Sequence, residues 1–180
     1  MRSIRWRSSA DGGLEHCVVK IGATGITAEG VIIAGSAPDD FGLRYRIVLD
    51  AEWAGLRSIH VTRLGGATTA LRHDGYGGWT DGEGRARADL AKCLDMTLAG
   101  SPFALTATIR RLAWKAGKSV DLPTLTIAAP SLDLASTPVR WTAVEPGKLY
   151  QRSVEGGEPE SIAVDEDGLV LRMGERFERV

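Results

Sequence analysis

The chain has very little cysteine: Cys17 and Cys93 are the only two in 180 residues. Neither sits in a CxxC pair or beside a histidine at metal-ligand spacing, and the disulfide scaffold of a small secreted protein needs more bridges than two thiols can make. Both read as free thiols. His60 and His73 are isolated, so no metal site is expected. Neither sign of charge is in excess, with 22 basic against 23 acidic residues spread along the length. A nucleic-acid binder usually carries a basic surplus, so nucleic acid is not an expected partner. No apolar run approaches the roughly 18 residues of a membrane span. The basic start, residues 1–7, leads into Ser8-Ser9-Ala10-Asp11-Gly12-Gly13 where a secretory signal would have an apolar stretch. The expectation is a cytoplasmic protein that is not embedded in a membrane. GxSxG, a Walker loop and a GxGxxG before a helix are all missing, so no cofactor is expected.

Glycine is plentiful, at 22 residues, which favours many tight turns over long helices. Between the glycines run short alternating segments. Leu43, Tyr45, Ile47 and Leu49 alternate with Arg44, Arg46, Val48 and Asp50, the pattern of a half-buried strand. Residues 14–21, 30–33, 57–64 and 68–73 extend it into a meander. Further strands are predicted at 122–127, 132–134, 139–144, 149–154, 161–164, 169–173 and 177–180. Asp74-Gly75, Asp81-Gly82 and Asp167-Gly168 offer the positive φ angles of tight turns. So many strands in a chain able to bury about 70% of its unfolded surface must curl or close. The expected fold is all-β and mostly antiparallel, one domain over residues 1–180. Residues 85–98 fit two patterns: a helix capped by Asp89 and carrying Leu90, Leu94 and Leu98, or a strand through Leu94, Met96 and Leu98.

Residues 101–112, Ser-Pro-Phe-Ala-Leu-Thr-Ala-Thr-Ile-Arg-Arg-Leu, form an apolar run that ends in two arginines. Taken as a strand, the run places Phe103, Leu105, Ala107, Ile109 and Arg111 on one face and turns Arg110 to the other. A cation on an apolar face needs a carboxylate or an anionic ligand.

Nine segments occur in a fixed order: Trp6; Gly13-Leu14-Glu15-His16; Tyr45-Arg46-Ile47-Val48-Leu49-Asp50 with Trp53; Asp74-Gly75-Tyr76-Gly77-Gly78-Trp79; Cys93-Leu94-Asp95-Met96; residues 101–112; Ala129-Pro130-Ser131-Leu132; residues 164–170; and Phe177-Glu178-Arg179-Val180. Taken together they make the chain resemble the "putative glycolipid-binding" family of bacteria over nearly its whole length. The resemblance implies an unclosed antiparallel barrel, or half-barrel, around an apolar cleft, similar to periplasmic lipoprotein carriers. One departure stands out. Where the family tends to have Thr-Asn-Thr-Leu-Pro before its arginine pair, this chain has Ala104-Leu105-Thr106-Ala107-Thr108, which removes a polar anchor.

The leading expectation is therefore non-catalytic binding of an amphiphile, a glycolipid or fatty-acyl conjugate, in a cleft formed by Tyr45, Trp79, Phe103, Leu105, Ile109 and Arg111. Two of the five tryptophans are expected at that cleft. Either Arg111 takes a headgroup, or one of the two arginines is solvated while the other pairs with a carboxylate such as Glu15 or Asp50; Glu15, Asp50 and Arg110 form an expected structural charge network, with Arg110 turned outward. Glu15 and His16 are adjacent in a strand, point to opposite faces and so make a poor acid–base pair. Two alternatives remain: an enzyme using Glu15, His16, Asp50 and Arg111 at the barrel mouth, and a protein that pairs through an exposed strand edge.

Overall fold

The computed structural model describes residues 1–180. The first seven strands are β1 (Arg2–Ser8), β2 (Leu14–Gly22), β3 (Gly25–Ala34), β4 (Phe41–Leu49), β5 (Leu56–Arg63), β6 (Thr68–His73) and β7 (Trp79–Asp81). Each pairs antiparallel with the one before it, as short polar turns dictate. The chain then crosses to the opposite edge of the sheet and lays down β8 (Asp95–Leu98). Six more strands return toward the start: β9 (Ser119–Ile127), β10 (Leu134–Glu145), β11 (Leu149–Val154), β12 (Glu160–Val164), β13 (Val170–Met173) and β14 (Phe177–Arg179). The last strand pairs with the first, Trp6 opposite Arg179 and Ser8 opposite Phe177. One 14-stranded sheet results, in the order β7-β6-β5-β4-β3-β2-β1-β14-β13-β12-β11-β10-β9-β8. Its two edges, β7 and β8, do not pair, so the barrel is unclosed, as the family resemblance implied.

The predicted alternation holds. On β4 the side chains of Leu43, Tyr45, Ile47 and Leu49 are buried; on β2 those of Glu15, Cys17 and Val19 are. Gly30 on β3 is required by packing: a Cβ there would lie 2.4 Å from Cζ of Tyr45. A bulge between Val48 and Leu49 resets the register so that Leu56, Ile59 and Val61 of β5 still face inward.

The one parallel pair, β8 with β9, marks the main correction to the sequence reading. Two parallel neighbours need a crossover, usually helical, and residues 101–112 provide it. The expected strand is instead a 3-10 turn, Pro102–Leu105, running into the α-helix α1 (Thr106–Arg111). Pro102 occupies the first turn, where its missing N–H costs nothing. All residues from Pro102 to Ile109 are buried, so the run has no exposed face from which a period can be read. The segment packs inside the curled sheet. Phe103, Ala104 and Ala107 join the core formed mainly by β1–β9, while Leu105 and Ile109 join the core of β10–β13. The protein thus fills much of its own concave face.

Residues 85–98 combine parts of both expectations: a 3-10 turn, Ala88–Leu90, and then β8. Asp89 caps nothing; its carboxylate holds Arg87 at 2.8 and 2.6 Å. The predicted strand at 132–134 begins only at Leu134, because Leu132 turns at φ 63°. Gly75 and Gly168 have positive φ as predicted, but after Asp81 it is Gly84, not Gly82, that does.

Candidate functional site

Arg111 leaves α1 beside β8, where Asp95 is almost fully buried. Nε and Nη2 reach the two carboxylate oxygens at 3.1 and 2.5 Å. Of the two roles open to it, pairing with a carboxylate is the one observed, though the partner is neither Glu15 nor Asp50. Arg110 points to the far side of the helix, donates to the carbonyl of Asp167 at 2.7 Å and lies 5.2 Å above the Trp53 ring. Helical rotation of about 100° per residue, not strand parity, separates the two. Asp50 accepts from the N–H of Ala54 at 2.9 Å and shapes the turn after β4. The expected network of Glu15, Asp50 and Arg110 does not form.

Glu15 anchors the helical segment instead. Its Oε1 accepts from Tyr45 Oη at 2.6 Å and Ser101 Oγ at 2.5 Å, and Oε2 faces the N–H of Phe103 at 3.5 Å. Burial pushes its pKa up to about 7, against the lowering effect of those hydrogen bonds. The thiol of Cys17 next to it is pushed up to about 12, by burial and then by the charge of Glu15. Titratable groups perturbed in this way often mark functional sites, but Glu15, at 1% exposure, is sealed beneath the 3-10 turn. His16 faces the other way, 3.4 Å from Arg5 Nε. Phe103 and Ile109 are buried with the core, as are Tyr45 and Trp79, whose indole donates to the carbonyl of Cys93 at 2.8 Å.

Two cavities adjoin the Ala99–Gly100 turn, and the helical segment lines only the first of them. One, of about 170 Å³, is walled by Leu98, Pro102, Leu105, Ile127, Met173 and Phe177, together with Arg152 and Arg176. The other, of about 220 Å³, lies against Leu14, Ile32, Ala34 and Phe41. They share Ala99, Gly100, Arg176 and Phe177 as walls. Of the six residues expected at the cleft, only Leu105 reaches them, and no tryptophan does. Larger depressions, of about 460 and 480 Å³, lie over polar loops and charged side chains at the surface.

Arg152 and Arg176 escaped the sequence reading. On β11 the side chain of Arg152 follows Tyr150 to the inner face, and that parity was the available signal. Across the β11–β12 ladder Arg152 stands opposite Glu160. The Glu160 carboxylate is bound instead by Arg176, with Nε and Nη2 both at 2.8 Å. No group of histidine, cysteine and carboxylate side chains is placed to hold a metal ion.

An unclosed, mostly antiparallel sheet packed on its own helical segment defines the class of fold. The chain belongs to the family described as "Putative glycolipid-binding", whose model matches residues 3–179. It is similar to a crystal structure of a DUF1089 family protein from Pseudomonas aeruginosa, at 31% identity and a TM-score of 0.82, over 97% of this chain and 95% of that one. No protein of curated function matches it. No helix is long and apolar enough to cross a membrane.

Proposed function

We propose that the protein binds an amphiphilic ligand without catalysis, seating it in the paired cavities beside the Ala99–Gly100 turn. The observation that carries this reading is the shared wall: two spaces with largely apolar linings meet at Ala99, Gly100, Arg176 and Phe177. The 170 Å³ space is comparable to an apolar cavity of roughly 150 Å³ that admits a benzene molecule. That size suits a short length of chain or a small headgroup. The family name points to the same ligand class.

The enzymatic alternative gains no support from geometry, because Glu15, His16, Asp50 and Arg111 are each held by separate partners. The strand-edge alternative gains no support at the β7 edge. β7 is three residues long, and the N–H of Arg87 already occupies the carbonyl of Trp79.

Native mass spectrometry with octyl glucoside below its micelle concentration tests the proposal. A one-to-one adduct is expected, and Ala99→Trp, which places an indole at the shared wall from an exposed position, should weaken it at least tenfold. A wild-type protein that takes up neither octyl glucoside nor octyl phosphate would refute the reading.

A further inference from the structure

Arg152 is nine-tenths buried, and its Nε has no hydrogen-bond partner. No carboxylate forms an ion pair with it, since the nearest in register, Glu160, is held at two points by Arg176. A buried guanidinium left this way is strongly unfavourable unless something else satisfies it. Burial lowers its pKa, opposed by the field of Glu160, but a guanidinium remains a cation at neutral pH.

The surroundings say what could satisfy it. Arg152 and Arg176 are the only charged residues that line the 170 Å³ cavity. With Glu160 behind them, the cluster carries one net positive charge. The remaining wall is mostly apolar, through Leu98, Pro102, Leu105, Ile127, Met173 and Phe177. A planar donor fork at the edge of an apolar wall suits an oxyanion attached to a hydrocarbon.

We propose that Arg152 is the headgroup-binding residue of this cavity and that the ligand is an anionic amphiphile whose phosphate, sulfate or carboxylate takes the guanidinium's free donors. This rests on the amphiphile reading above and narrows it to one charge type. Arg176 plays a positioning part: by holding Glu160 it keeps Arg152 free for the ligand.

Calorimetric titration with octyl phosphate, octyl glucoside and inorganic phosphate tests the assignment. The wild type should bind octyl phosphate at least tenfold more tightly than octyl glucoside. Arg152→Met should abolish that preference and keep or raise the melting temperature, because it removes an unpaired buried charge. Arg152→Lys should retain part of the preference. Equal wild-type affinity for the two amphiphiles would overturn the headgroup assignment while leaving amphiphile binding intact; if neither binds, both fail. Inorganic phosphate binding as tightly as octyl phosphate would support the anion site and refute the hydrocarbon tail. Should Arg152→Met fail to fold, the wild-type comparison and Arg152→Lys still decide, and a lysine variant with undiminished preference for octyl phosphate over a neutral amphiphile at high salt would count against bidentate recognition.

Discussion

Arg111 and Asp95 form a two-point ion pair that fastens the end of α1 to β8. Asp95 is 1% exposed, so its carboxylate depends on this one cation. Replacing Arg111 with Leu strands a buried charge and should lower stability by roughly 3–5 kcal/mol. The double variant Arg111→Leu, Asp95→Asn should lose less. Urea denaturation of the two variants measures the difference.

Glu15 gives stability a defined pH dependence. Its carboxyl group is raised from 4.5 to about 7 in the folded protein, chiefly by burial. Between those values the folded chain holds a proton that the unfolded chain has lost. The contribution is therefore complete below about 4.5, declines as pH rises and is gone above about 7. Its size is on the order of 3 kcal/mol at most. Glu15→Gln, which can still accept from Tyr45 and Ser101, should flatten stability across this window in melting curves taken from pH 4.5 to 8.

Phe103 is the largest side chain of the helical segment in the main core. Phe103→Ala should cost about 3–5 kcal/mol and leave an apolar void under the 3-10 turn. Chemical denaturation reads the cost. Increased fluorescence of a hydrophobic dye, without loss of strand signal in circular dichroism, would report the void.

Gly30 faces the ring of Tyr45, with no room for a methyl group. Gly30→Ala should cost about 1–3 kcal/mol by overpacking and push the Tyr45 hydroxyl off Glu15. The same change should therefore move the pH midpoint assigned to Glu15, which a carboxylate resonance in a pH titration would follow.

Most strands were legible because their period is local. The side chains of β4 and β2 alternate every two residues, and one row is buried whatever the neighbouring strand turns out to be. The bounds predicted for β6 and β11 match those observed. Residues 101–112 were not legible in this way, since burial on every side erases the period that separates helix from strand. One local signal did point to the helix: Ser101-Pro102, a common helix entry. Even so, the Ser101 hydroxyl does not cap the turn but donates to Glu15, 86 positions away in sequence.

An all-β chain of short strands, with Glu15 and His16 on opposite faces, follows from the order of the residues alone. Which cation meets which anion depends on how the strands assemble. Arg111 found Asp95 because α1 crosses between two parallel strands, and Arg152 lost Glu160 because Arg176, on the turn before β14, reaches it first. Strand patterning follows from neighbours two residues apart, whereas charge pairing follows from which strands lie side by side, and that order is set only when the whole sheet has formed.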